Sequence, residues 1–219
     1  MRINKFVALS TGLSRRAADT AIAEGRVLVN GTYPDNGYNV NESDTVTLDN
    51  RAITPAVKTT IMLNKPIGYV VSRDGQGSET VYDLLPFEYE KLKPIGRLDK
   101  MSSGLLLLTN DGDLANELTH PSHQKIKIYE VILSKPLEPL HHQMLVDYGV
   151  QLDDGISKFK QLEKLNASVT KWKVVMTEGR NRQIRRTFGA LDYGVKRLHR
   201  THFGDYSLGN LKSGTFEKQ

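Results

Sequence analysis

The sequence predicts an α+β protein: a small N-terminal α/β module, then a larger mixed domain built on a mainly antiparallel sheet. Three observations carry this expectation. Between residues 60 and 219, strand and helix patterns alternate irregularly, without the βα rhythm of a doubly wound fold. Four consecutive leucines, Leu105 to Leu108, make a short continuous apolar run that suits a strand buried on both faces. The stretch NRAITPAVKT at 50–59 has linker composition, so the domains are read as 1–50 and 60–219, joined by residues 51–59.

The N-terminal module reads element by element. Ile3, Phe6 and Val7 recur at helical spacing and stop near Thr11-Gly12. Ser14 is a good N-cap for a second helix with Ala17, Ala18, Ala21 and Ile22 on its apolar face, and Gly25 ends it. Arg26 to Val29 forms a short strand, Asn30-Gly31 is a hairpin turn signal, and Val46 and Leu48 share one face of a later strand. Arg15 and Arg16 sit in the first turn of the second helix, where cations oppose the helix dipole unless a phosphate binds there. They are equally consistent with two ordinary surface arginines.

In the larger domain, strands are expected at 60–64, 68–72, 104–109, 127–134 and 171–177, with short ones after 195. Helices are expected at 80–85, 112–118, 137–148 and 181–191. Gly104 admits a tight entry into the leucine strand, and Asp111 or Asp113 can cap the helix that follows it.

Composition narrows the function. Apolar residues are 38% of the chain and charged residues 25%, as in a soluble globular protein. No apolar run approaches the ~20 residues that span a bilayer, and the start is too short and charged for a secretory leader. The absence of cysteine excludes disulfides and thiolate-bound zinc, and it fits a cytoplasmic protein. Net charge is +5, but residues 158–219 alone carry 14 basic against 5 acidic side chains, a segmental surplus that suggests a polyanionic partner.

Several reaction classes lack their motif. LLLLTND mimics a magnesium-binding strand, yet no GxxxxGK[ST] loop accompanies it. HExxH and GxSxG are absent, and the six histidines lack the carboxylate neighbours of a zinc site. Three segments remain. Asp99, in GRLDKMSSG, precedes the leucine strand; a carboxylate beside a core strand needs a cationic or hydrogen-bonding partner, and a braced loop is also how a nucleophile or base is presented. In KIKIYEVIL, Lys125, Lys127, Tyr129 and Val131 share a face, so Tyr129 is either a nucleobase platform or a packing tyrosine. In EGRNRQIRRTF, Arg180, Arg182, Arg185 and Arg186 cluster beside the apolar helix positions Ile184 and Phe188; they form either a solvated basic helix or a clamp for phosphate and carboxylate.

Two resemblances connect these pieces. INKFVA, GLSRRAADTAI and GRVLVNG resemble the S4-like RNA-binding domain, which implies that Arg2, Lys5, Arg15, Arg16 and Arg26 face RNA. MLNKPIGYV, GRLDKMSSGLLLLTNDGDLA, KIKIYEV and EGRNRQIRR, in that order, resemble the RsuA-type ribosomal RNA pseudouridine synthases, with Ser102 where the family often has Thr. The resemblance implies isomerisation of uridine to pseudouridine in ribosomal RNA, without cofactor or metal. It implies Asp99 as the essential carboxylate, attacking the sugar or removing a sugar proton. Tyr129 is implied as the residue stacked on the flipped uracil, and Arg185 as the partner of Asp99. It further assigns Lys65, Arg97, Lys127, Arg180, Arg182 and Arg186 to RNA. GVQLDDGISKFK at 149–160 looks more like the members that act on large-subunit RNA, though small-subunit members are close. The expected partner is ribosomal RNA or an assembling subunit, met by a monomer without membrane attachment. The rival readings are a non-catalytic RNA-binding or ribosome-assembly module, and an Asp-based glycosidase for which no second carboxylate stands out.

Overall fold

The computed structural model describes residues 1–35 and 37–219. The chain divides into two compact units, Met1–Thr59 and Thr60–Gln219.

In the first unit, helices α1 (Ile3–Thr11) and α2 (Arg15–Ala23) pack on a three-stranded antiparallel sheet of β1 (Val27–Val29), β2 (Val46–Leu48) and β3 (Arg51–Ala52). The Ser14 side chain accepts the Ala17 amide at 3.0 Å, as an N-cap does. Gly12, at φ +82°, closes α1 in the left-handed conformation. Asn30 and Gly31 both take positive φ, and Val29 and Thr32 exchange backbone hydrogen bonds across them, so the expected tight turn forms. Ile3, Val7, Ala18, Ala21, Val27, Val29, Val40 and Val46 make the core. Arg51 and Ala52, expected in the linker, instead pair with β2.

The second unit is built on one large sheet. Its strands are β4 (Thr60–Lys65), β5 (Lys93–Ile95), β6 (Ser103–Thr109), β7 (Lys127–Leu133), β10 (Gln161–Lys164), β11 (Lys171–Met176), β12 (Val195–Phe203), β13 (Tyr206–Ser207) and β14 (Phe216–Lys218). The order is β10-β11-β7-β12-β6-β4-β14, with β13 on β12 and β5 on β6. Among the described residues every pairing is antiparallel except that of β12 with β6. A separate hairpin joins β8 (Val150–Leu152) to β9 (Gly155–Ser157).

The leucine run behaves as its pattern requires. Leu106 and Leu108 point into the main core, and Leu105 and Leu107 into a second one on the opposite face. Each fully buried leucine contributes about 1.5–3 kcal/mol of hydrophobic stabilisation. Helix α3 (Gly112–Thr119) covers the second core with Leu118, and its cap Asp111 accepts the Asp113 amide at 3.0 Å. Helix α5 (Gln183–Gly189) covers the main core with Ile184 and Phe188. Helix α4 (Pro139–Gln143) passes directly into a wider π turn, Met144–Tyr148, where a single α-helix over 137–148 was expected.

Two further expectations fail. Residues 68–72 are not a strand: Pro66 and Gly68 (φ +96°) break the pattern, and only a Val70–Thr80 bridge forms. The helix expected at 80–85 is a 3-10 turn over Val81–Leu84, capped by Thr80 and Asp83 acting on each other's backbone amides.

Candidate active site

The turn between β5 and β6 carries Asp99, and two cations hold its backbone. From below, Lys65 ends β4 with no exposed surface. Its Nζ donates to the carbonyls of Ser102 (2.8 Å), Pro66 (2.9 Å) and Asp99 (3.2 Å). Burial pulls its pKa down to about 8, partly offset by the nearby Asp99 charge. From the side, Arg185 on α5 donates Nη2 to the Met101 carbonyl at 2.7 Å and Nη1 to the Val195 carbonyl at 2.8 Å. The Ser102 amide closes the turn on the Asp99 carbonyl at 3.0 Å. The carboxylate itself stays accessible, its side chain 30% exposed.

Two sequence expectations change here. The ion pair with Asp99 comes from Arg182, with Nη1 at 3.8 Å from Oδ2; the expected partner, Arg185, spends its hydrogen bonds on carbonyls of the same turn and of β12. Arg182 precedes α5 in the left-handed region at φ +47°, a conformation uncommon for a residue with a Cβ. Lys65, expected to contact RNA, is instead an internal brace, since a lysine with no exposed surface cannot reach a ligand in solvent. The signal was present: a lone Lys closing the apolar strand TIMLNK must cap carbonyls to be buried.

Asp99 opens onto a cleft of about 980 Å³ lined by both arms of the site, including Arg97, Tyr129, Arg182, Leu198 and Arg200. Tyr129, on β7, is 7% exposed and faces both the main core and the cleft. Its strand neighbour across β12 is Arg200, and Lys127 lies opposite Phe203 on the same face. Burial and the charge of Arg200 lower the pKa of Lys127. Arg97 is exposed at the cleft edge. Ser102 is buried, and its hydroxyl has no hydrogen-bond partner.

The remaining arginines of the cluster are tied to protein. Arg180 ion-pairs with Asp154 at 2.8 Å and donates to the Gly155 and Ile156 carbonyls, while Arg186 meets the other Asp154 oxygen at 2.6 Å. Both bind the β8–β9 hairpin to α5, so neither offers the free charge expected for RNA. Gln183 completes the joint: buried, it accepts the Arg180 amide and donates to Ser157 and Glu178. Sequence reading missed both Gln183 and Arg200, because each looks like an ordinary polar residue until its strand partners are known.

In the first unit, Arg2, Arg15 and Arg16 are exposed and Lys5 is half-buried. Arg26 differs: a bidentate pair with Asp49 (2.8 and 2.6 Å) and a contact with Glu24 at 3.3 Å neutralise it locally. Among the described residues no three His, Asp or Glu side chains gather as metal ligands would, and no helix is long and apolar enough to cross a membrane.

Comparison with known proteins agrees with this geometry. The RNA pseudouridylate synthase family model matches residues 59–190, and the S4 domain model residues 1–46. "Ribosomal large subunit pseudouridine synthase B" of Bacillus subtilis is 33% identical, covering 97% of this chain and 89% of its own length. A protein of the same name from Xanthomonas campestris pv. campestris is 37% identical over 94% of this chain, which spans only 44% of that longer relative. The crystal structure of a pseudouridylate synthase superposes over all of the chain with a TM-score of 0.71 at 30% identity. On these matches the chain belongs to the RNA pseudouridylate synthase family, with an S4 domain ahead of its synthase domain.

Proposed function

We propose that this protein isomerises uridine to pseudouridine in ribosomal RNA, with large-subunit RNA as its substrate and Asp99 as the group that acts on the sugar. The observation that carries the proposal is the accessible Asp99 carboxylate on a turn fixed by Lys65 and Arg185, facing Arg182 and opening on the cleft that Tyr129 lines. The names of the Bacillus and Xanthomonas relatives support the choice of the large subunit.

The reaction balances without an added reagent. The bond from uracil N1 to C1′ breaks, the ring turns, C5 bonds to C1′, and the proton lost from C5 is matched by one gained at N1. Asp99 meets the sugar either as nucleophile at C1′ or as base toward a sugar proton. Arg182 faces the carboxylate, and Arg185 keeps the turn in place. Tyr129 supports the extruded uracil, and exposed Arg97 occupies the neighbourhood of the vacated stack. The first unit presents Arg2, Lys5, Arg15 and Arg16 to the RNA backbone. The proposed setting is the cytoplasm, with a single chain acting on the RNA or on an assembling subunit.

Tritium release from ribosomal RNA labelled at uridine C5 tests this. Wild type should release tritium and Asp99→Asn essentially none. Equal release from both would remove Asp99 from the chemistry; no release by wild type, on naked RNA and on subunits, would favour an RNA-binding assembly factor.

A further inference from the structure

The end of the cleft beyond Tyr129 holds two cations that, among the described residues, have no ion-pair partner within 4 Å. Arg200 is 2% exposed; its Nε donates to the Leu105 carbonyl at 2.8 Å, while Nη2 is buried with no partner. Lys127 lies on the adjacent strand, and its one hydrogen bond is a long one to the Lys125 carbonyl at 3.4 Å. Both charges share the Phe203 ring, with Arg200 Cζ 4.8 Å and Lys127 Nζ 5.2 Å from its centroid. Among the described residues neither forms an ion pair. Glu178 acts on Lys127 through its charge, but its carboxylate is engaged by Gln183 and by Arg180 at 3.5 Å.

Two like charges brought together in a part-buried site are unfavourable unless an anion joins them. Burial and Arg200 depress the Lys127 pKa, and the Glu178 charge offsets this only in part. Space for a ligand exists, since Lys127, Arg200 and Phe203 line the open cleft. The strand pairing sets the spacing: Tyr129 opposes Arg200 and Lys127 opposes Phe203, so Lys127 stands two residues, ~7 Å, along the strand from Tyr129. A nucleotide whose base lies at Tyr129 carries its backbone within reach.

We infer that Lys127 and Arg200 form a subsite for one phosphodiester of the RNA strand, adjoining the nucleotide held at Tyr129. This rests on the proposed function for the identity of the polyanion. Lys127 makes the contact and Arg200 supplies the field behind it. The pair positions the strand and takes no part in bond rearrangement.

The test uses full-length protein and an in-vitro transcript of large-subunit ribosomal RNA. Lys127→Gln should weaken binding about tenfold, as loss of a charge-assisted hydrogen bond does. The slope of log K against log salt should flatten by about 0.7–0.9, the value for one phosphate. Lys127→Arg should restore both, and Arg200→Lys should weaken binding without a second slope loss, because both cations serve one phosphate. Amine-reactive labelling of wild type, read by mass spectrometry, gives a measure independent of any variant: RNA should protect Lys127. Unchanged slope in Lys127→Gln, or unprotected Lys127 in the RNA complex, overturns the subsite and leaves a purely structural pair. Tritium release by wild type is scored in parallel. Release with no slope change sinks the subsite alone, and a slope change with no release sinks the synthase reading alone.

Discussion

Arg182 Nη1 stands 3.8 Å from Asp99 Oδ2, whereas Arg185, three residues on, binds the carbonyls of Met101 and Val195. Arg182 thus makes the direct ion pair, while Arg185 braces the turn and still feels the Asp99 charge. Arg182→Gln should lower kcat/KM by about tenfold, the effect of ~1.4 kcal/mol in the transition state, while the melting temperature holds because that side chain is half exposed. Arg185→Gln should lower kcat and Tm together, since two carbonyls lose a charged donor. If Arg182→Gln retains full activity, the ion pair has no role in the reaction.

Lys65 links the site to pH. Its folded pKa of about 8 lies below the ordinary 10.5, so between these values the unfolded chain binds more protons than the folded one. The Lys65 contribution to stability must then rise with pH across that window, and the buried charge costs most below it. The expected readout is the difference in unfolding free energy between wild type and Lys65→Met, which should grow from pH 8 to 10.5. A flat difference would show that Lys65 is not buried as a cation. The same variant should lose most activity at neutral pH, because the carbonyls of Pro66, Asp99 and Ser102 lose their shared donor.

Gly104 is fixed by a neighbouring strand rather than by a turn. A Cβ there would lie 2.2 Å from the Arg200 carbonyl oxygen, and its φ is +104°. Gly104→Ala should cost at least about 3 kcal/mol, or a Tm loss of ~6–12 °C for a chain of this size. Thermal denaturation checks this, and a shift under 2 °C would contradict the close approach of β6 and β12.

Asp154 holds Arg180 and Arg186 at once, and their charges keep its pKa below the usual carboxylate range. Asp154→Asn should release the Arg186 Nη2 charge, while Arg180 stays on the Gly155 and Ile156 carbonyls. RNA affinity should then rise and its salt dependence steepen, by filter binding across a salt series. Unchanged binding would mean that Arg186 cannot reach RNA even when released.

In the first unit, Arg15→Ala with Arg16→Ala should weaken RNA binding and flatten its salt dependence, with the melting of the second unit unaffected. An unchanged slope would assign both side chains to ordinary surface.

What the sequence revealed and what it hid follow from the range of the forces involved. Local signals read true: Ser14 and Asp111 cap their helices, Asn30-Gly31 turns, and four leucines alternate between two cores. Asp99 stood out because nothing local accounted for it. Lys65, Arg185 and Arg200 were misread or missed because each is defined by a partner far along the chain: Lys65 by carbonyls 34 to 37 residues away, Arg185 by Met101 at 84, Arg200 by Leu105 at 95. The β5 strand Lys93–Ile95 escaped notice because its proline reads as a breaker, yet it sits at a sheet position that tolerates one. A chemical label such as "basic cluster" does not separate the arginine that faces Asp99 from those locked to Asp154.

The parallel joining of β6 to β12 has a consequence in time. Ser103 and His199 are 96 residues apart and meet across that joint. At about 5–20 residues per second of synthesis, the leucine strand waits ~5–20 s on the ribosome for its parallel partner. The segment supplying Arg182 and Arg185 also emerges in that interval. The nascent segment therefore carries Asp99 unaimed until residues 182 and 185 have been made.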